Sequence, residues 1–234
     1  MKHLNQFITE YIVKKKLDKF IDSEYLYHPK NKDELIEDIN ELLDLRKYDL
    51  NSIDTSAITD MSHLFEDDVY VDRNFDVSRW NVSNVKDMTS MFNSCTYFNC
   101  DLSNWDVSNV ETMDYTFLGC EHLNYDLSNW DVSNVKSMKG MFQNCDKFEG
   151  KGLDKWNVSN VKDMYCMFIN CENLNCDFSS WDVSNVIHMH YMFYGCKKFD
   201  CDLSNWDVSN VKDKRYMFYN CTSLKNKPSW YEEE

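Results

Sequence analysis

Ten cysteines, a pair of histidines two residues apart and two long columns of aspartate are the residues whose types and spacing could do chemistry. Six cysteines recur every 25 or 26 residues, at Cys95, Cys120, Cys145, Cys171, Cys196 and Cys221. Three more recur at Cys100, Cys176 and Cys201, with Tyr125 in the same place, and Cys166 stands alone. A zinc site needs several thiolates or imidazoles converging on one point. One cysteine per repeat makes a column rather than a cluster. Free cysteine packs as a small hydrophobe. If the segments that these cysteines end pack as helices, they lie ~8–10 Å apart, beyond the ~7 Å between Cα atoms that a disulfide allows. Cys176 and Cys201, which lead into adjacent segments, are the pair best placed to bridge.

The aspartates form one column at Asp54, Asp106, Asp131, Asp182 and Asp207, and another at Asp49, Asp76, Asp101, Asp126, Asp177 and Asp202. Carboxylates stacked ~4.8 Å apart, the spacing of paired strands, repel unless hydrogen bonds or a cation intervene. Asn81 and Asn157 replace Asp in the first column, so charge there is not obligatory. That favours hydrogen bonding to turn backbone or to the Ser and Asn ladders. A partner-facing surface and a Ca²⁺ site remain as alternatives, although no Gly-containing D-x-D-x-D-G loop accompanies the column.

His188 and His190 would fall on different faces of a helical segment and make poor joint ligands. None of G-x-S-x-G, G-x-x-x-x-G-K-[ST], H-E-x-x-H and G-x-G-x-x-G occurs. Catalysis needs a constellation present once, and here nearly every polar feature is present six times. The sequence therefore predicts neither an enzyme nor a cofactor.

What must position these columns is a repeat. Trp80, Trp105, Trp130, Trp156, Trp181 and Trp206 are spaced 25, 25, 26, 25 and 25 residues apart; Ile53 begins a weaker copy before them, and Trp230 an incomplete one after. Within a unit, Leu102, Trp105 and Val107 have the spacing of a short strand with one buried face. Val110, Met113, Phe117 and Cys120 then follow at i, i+3, i+7 and i+10, the stripe of a short helix. Ser108 or Asn109 would cap that helix. A strand and a helix this short cannot close a core alone, so neighbouring units must bury each other's faces.

The string L-S-N-W-D-V-S-N-V-x-x-M-x-x-M-F-x-x-C-x-x-F resembles the BspA-like leucine-rich-repeat family over about three quarters of the chain. The resemblance implies a right-handed α/β solenoid and a role in adhesion or protein binding, often at the cell surface. The expected fold is therefore a leucine-rich-repeat-like solenoid, with parallel strands on one face and short helical segments on the other. A helical N-terminal cap at 1–47 would precede about seven repeats at 48–234. In the cap, Leu4, Phe7, Ile8, Tyr11 and Ile12 make one stripe, and Leu35, Ile36, Ile39, Leu42 and Leu43 another. Asn31 to Asp33 would supply the N-cap of the second. Lys14, Lys15, Lys16 and Lys19 read as a solvated helix face or a basic docking patch.

The formal net charge of −15 argues against nucleic acid and anionic membranes, which are held by Lys and Arg. There is no secretory h-region and no apolar run near the ~18–20 residues of a membrane span. The chain as written is expected to be cytoplasmic, with a cell-surface site implied only by the family resemblance. The expected function is a non-catalytic scaffold that binds a protein or peptide along an acidic concave strand face. Its candidate contacts are Asp54, Arg79, Asn81, Asp106, Asp131, Lys155, Asn157, Asp182 and Asp207. A surface adhesin, a structural spacer or a Ca²⁺-stabilised scaffold are the alternatives.

Overall fold

The structure is a computed structural model that describes residues 25–66 and 74–232. The first expected helical stripe and the Lys14–Lys19 patch lie outside these residues. The second stripe forms α1, Lys32–Asp44, whose Leu35, Ile39, Leu42 and Leu43 are buried in the core. Asn31 caps it by accepting the amide N–H of Glu34 at 3.0 Å. The Glu34 side chain reaches back to the amide of Lys30 at 2.9 Å, so two otherwise unpaired donors are satisfied.

After α1 the chain does not alternate strand and helix. Among the described residues, α1 and a 3-10 turn at Leu153–Lys155 are the only helices, and strand pairing is confined to isolated parallel bridges of one residue each. The expected α/β solenoid with a strand face, a helical face and a helical cap is therefore incorrect. With no strands or helices to carry it, the leucine-rich-repeat reading of the unit fails as well.

Each unit is instead a coil of consecutive tight turns. Trp105 donates its amide to the carbonyl of Leu102, Val110 to Val107, Cys120 to Phe117 and Leu123 to Cys120, all at 2.9–3.1 Å. Apolar residues three apart thus open and close four-residue turns and point inward together. This spacing imitates the stripe of a helix. What excludes a helix is the destination of the amides between. Met113, Tyr115, Phe117 and Gly119 donate to Ser137, Lys139, Met141 and Gln143 of the next coil, at 2.6–3.0 Å. An α-helix needs those donors for bonds four residues back. Here every second one leaves the segment. The bridges continue the same register, with Asp60, Asp87, Thr112, Ser137, Asp163, His188 and Asp213 paired in series, one per coil.

The core is continuous from α1 to Cys221. Its axis is a stack of Phe65, Phe92, Phe117, Phe142, Phe168, Phe193 and Phe218, with ring centroids 5.5–5.8 Å apart and planes within 12°. Burying each such ring stabilises by about 1.5–3 kcal/mol, and aromatic pairing adds about 0.5–1.5 kcal/mol. Each indole N–H is donated to a carbonyl of the coil before, as from Trp130 to Leu102 at 3.0 Å and from Trp181 to Leu153 at 2.8 Å. No helix among the described residues is long and apolar enough to cross a membrane.

Candidate functional site: the variable face of the coils

The coil cross-section has a constant side and a variable side. The constant side carries D-L-S-N-W-D-V-S-N-V, and here the expected contact residues are found. Asp106 Oδ1 accepts the amide of Ser108 at 3.1 Å and its hydroxyl at 2.6 Å. Asn81, Asn157 and Asp182 do the same with Ser83, Ser159 and Ser184. Asp54, Asp131 and Asp207 accept the amides of Ser56, Ser133 and Ser209 at 3.0 Å. Each is an Asx-turn acceptor that starts the turn after it. Asn replaces Asp freely because the turn bonds use Oδ1 alone, although Asp54 Oδ2 also meets His28 Nδ1 at 3.3 Å.

Asn109, expected to cap a helix, sends its Nδ2 to the carbonyl of Ser83 in the previous coil at 2.8 Å. Asn134, Asn160, Asn185 and Asn210 repeat the bond at 2.7–2.8 Å. Arg79 and Lys155 are exposed, and the backbone amide of Arg79 is held by Asn51 Oδ1 at 2.8 Å. These nine residues line no strand face and converge on no cavity.

Eight of the ten thiols are buried, and Cys176 and Cys201 are half-buried. All ten cysteines are free. Cys120, Cys145, Cys171, Cys196 and Cys221 point at carbonyls of the preceding coil at 2.9–3.2 Å. The helix-packing distance argued from sequence does not apply to them, since they end turns rather than helices. No group of three or more His, Cys, Asp or Glu among the described residues is arranged to hold a metal ion.

The variable side comes from the x positions of V-x-x-M-x-x-M-F-x-x-C. The residue after the first core position of that run (Met in all but the last coil) is Ser62, Thr89, Asp114, Lys139, Tyr165, His190 and Arg215 in successive coils, seven different side chains. The next position is His63, Ser90, Tyr115, Gly140, Cys166, Tyr191 and Tyr216. The one after the buried Phe is Glu66, Asn93, Leu118, Gln143, Ile169, Tyr194 and Tyr219. The last four coils bring these columns together as an aromatic groove of about 660 Å³. Gln143, Tyr165, Cys166, Ile169, Tyr191, Tyr194, Tyr216 and Tyr219 line it.

Its walls are two slipped stacks. Tyr191 and Tyr216 lie 5.2 Å apart at 16°, and Tyr194 and Tyr219 5.1 Å apart at 15°. Tyr191 and Tyr194 meet edge to face at 5.8 Å. Tyr165 packs on His190 at 4.1 Å. Tyr115 leans over Gly140, where an added Cβ would lie 2.5 Å from its ring.

The electrostatics along this border are mostly self-contained. Arg215 grips Asp213 with two bonds of 2.9 and 2.7 Å and holds its carboxyl far below the usual range. Lys139 lies between Asp114 and Asp163. Burial pushes the His190 imidazole below its ordinary value, and its Nδ1 has no hydrogen-bond partner. The hydrogen bond to Cys166 and that thiol's charge lift the Tyr165 phenol to about 12. Asp146 is the exception. Burial, Glu121 and Glu172 raise its carboxyl.

Backbone conformation separates this face from ordinary turn design. The column from His63 to Tyr216 has φ between +52 and +59° in all seven coils, a region that costs a non-glycine residue about 1–2 kcal/mol. The neighbouring left-handed column, Ser94, Gly119, Asn144, Asn170, Gly195 and Asn220, is mostly Gly and Asn, the residues suited to it. The first column uses Gly once and Tyr three times. Sequence reasoning gave this face no role because it read the segment as a short helix and followed only its apolar stripe. Comparing the x positions between repeats of this one chain was the signal that could have found it.

A family model described as "Mycoplasma protein of unknown function, DUF285" matches residues 34–152 and 137–233. The chain belongs to this family. No curated protein and no solved structure matches it. The match is to DUF285 and not to a BspA-like leucine-rich-repeat family, so the resemblance suggested by W-D-V-S-N-V is corrected. The constant string W-D-V-S-N-V is accounted for by turn formation and coil stacking in a DUF285 chain.

Proposed function

We propose that this protein is a non-catalytic interaction module, and that its binding surface is the variable face rather than the aspartate columns. The observation that carries the reading is the tyrosine column. Tyr191 and Tyr216 occupy left-handed positions that Gly or Asn would fill with less strain, and Tyr216 is 43% exposed. Backbone strain kept at such positions points to a use for the side chain. The constant side supports the same reading, because its Asp and Asn Oδ1 atoms and its Asn Nδ2 groups are engaged in turns and coil-to-coil bonds. A repeated scaffold with a differing side chain at each step is how a coil stack presents a specific surface.

The test is to pan a peptide-display library and a glycan array against the whole chain. Selected ligands should lose binding when Tyr191 and Tyr216 become Ser, and keep it when Asp106 and Asp131 become Asn. Ligands that show the reverse pattern would place the site on the constant side. A chain that selects no ligand at all would favour a structural spacer.

A further inference from the structure

The groove and its surroundings say what kind of group it accepts. The centroid separations of 5.1 and 5.2 Å in the two tyrosine stacks exceed the ~3.5–4.0 Å contact distance of carbon atoms. The near-parallel rings are therefore displaced sideways, leaving part of each π face uncovered. Tyr219 is 57% exposed and Tyr216 43% exposed. A tyrosine face carries negative electrostatic potential and attracts cations, most often guanidinium.

Charge points the same way. The chain carries a formal net charge of −15, a field that draws cationic partners towards it. The cations Lys139 and Arg215 beside the groove are already held by carboxylates. Asp146, by contrast, forms no ion pair within 4 Å among the described residues. It lies three positions after the groove residue Gln143, within ~11 Å along the chain. Glu121 and Glu172 raise its carboxyl, while Lys197, which also pairs with Glu172, lowers it. The groove also runs across several coils, which suits an extended ligand better than a compact one.

We propose that the tyrosine groove docks an arginine-bearing extended segment of a partner protein, with guanidinium groups stacked on the faces of Tyr191, Tyr194, Tyr216 and Tyr219. This rests on the reading of the variable face as the binding surface and adds the chemistry of its partner. Planar guanidinium suits the site better than ammonium because it stacks flat on the ring and keeps its in-plane N–H groups free to hydrogen-bond.

The test is calorimetric titration of the whole chain with a blocked peptide alternating Arg and Gly. The same peptide with Gln for Arg, a blocked proline-rich peptide and a neutral β-glucan oligosaccharide are run in parallel. The arginine peptide should bind saturably and weaken with added salt. Joint Tyr194→Ser and Tyr219→Ser substitution should weaken it about tenfold or more, the loss of two ring contacts. Tyr97→Ser, at an exposed tyrosine outside the groove, should leave it unchanged. Thermal unfolding of each variant checks that the fold is kept, and Tyr219→Leu, which keeps bulk but removes the π face, should weaken binding as Ser does. Failure of the arginine peptide to bind, or equal binding by the double variant, overturns the proposal. If the glycan or the proline-rich peptide binds instead and is lost with the tyrosines, the cationic partner is wrong while the variable face stands.

Discussion

The indole N–H of Trp105 is donated to the carbonyl oxygen of Val77, one coil earlier, at 3.1 Å, with both residues buried. Seven tryptophans make this bond, from Trp80 to Leu50 through to Trp230 to Leu203. Tryptophan therefore serves as both core filler and coil-to-coil tie. Trp105→Phe keeps most of the apolar volume but removes one of the two hydrogen bonds to the Val77 carbonyl, which still accepts the amide of Trp80 at 3.0 Å. It is expected to cost about 0.5–1.5 kcal/mol, read as a lower midpoint in urea unfolding. Trp230→Phe should cost less, since Trp230 is half-buried and water can reach its acceptor.

The aspartate columns predict acid sensitivity. The amide and hydroxyl of Ser133 hold the Asp131 carboxyl below its ordinary value, and Ser184 does the same for Asp182. At Asp76, burial alone would raise the carboxyl, but the bonds from Ser78, Asn51 and Cys100 outweigh it and leave it at about 2. A carboxyl depressed by folding stabilises the fold when ionised. Its contribution is complete above the unfolded value near ~4 and is lost as pH falls through the folded value. Stability should therefore fall between about pH 4 and pH 2. Asp131→Asn should be nearly neutral at pH 7, within ~0.5 kcal/mol, and should remove part of the acid loss. Asp131→Ala should cost about 1 kcal/mol at pH 7 through the unmade Ser133 bond. Urea melts across that pH range measure all three.

Much of this was legible in the sequence, and the part that was not has a single cause. The period, the inward residues Trp105, Val107, Val110, Met113, Phe117 and Cys120, and the turn-bonding role of Asp and Asn follow from column spacing alone. Secondary structure did not, because a chain of four-residue turns places apolar residues three apart, close to the stripe of a helix. The distinction lies in the amides of Tyr115 and Gly119, which cross to Lys139 and Gln143, and donor destination leaves no mark on apolar spacing. The left-handed φ of Gly119, Asn144, Asn170, Gly195 and Asn220 did leave one. Gly and Asn recurring at one position of a supposed helix is a signature of turns. Following only the apolar stripe of a supposed helix left Tyr191, Tyr194, Tyr216 and Tyr219 without a stated role.

The thiols should divide by column. Burial pushes Cys95 and Cys221 up to about 12 and raises Cys120, Cys145 and Cys196 well above their ordinary value. Half-buried Cys176 and Cys201 are also raised by burial, to about 11. A thiol reacts as its thiolate, so a disulfide reagent at pH 8 should modify these two slowly and spare the buried six until the chain unfolds. Mass spectrometry of peptides from a timed reaction separates the classes. Prompt modification of Cys120 or Cys145 in the native state would show that the coils open far more readily than their hydrogen bonds indicate.

The last prediction sets stability against binding. Tyr216 has φ +54° and Asn220 φ +60°, in the same coil. Asn220→Ala puts an ordinary side chain at a left-handed position with nothing in return, and should cost about 1 kcal/mol. Tyr216→Gly relieves a comparable strain and loses one slipped stack with Tyr191, worth about 0.5–1.5 kcal/mol. Its net effect should lie within about 1 kcal/mol of zero. Binding at the groove should nevertheless fall. Thermal unfolding and titration with the panned ligand, on the same samples, give both numbers. If Tyr216→Gly instead destabilises by more than about 2 kcal/mol, well beyond one lost stack, the tyrosine holds the coil together and the strain argument fails. A fold that tolerates the loss while its ligand does not would mean that Tyr216 is kept at a strained position for what it touches outside the chain.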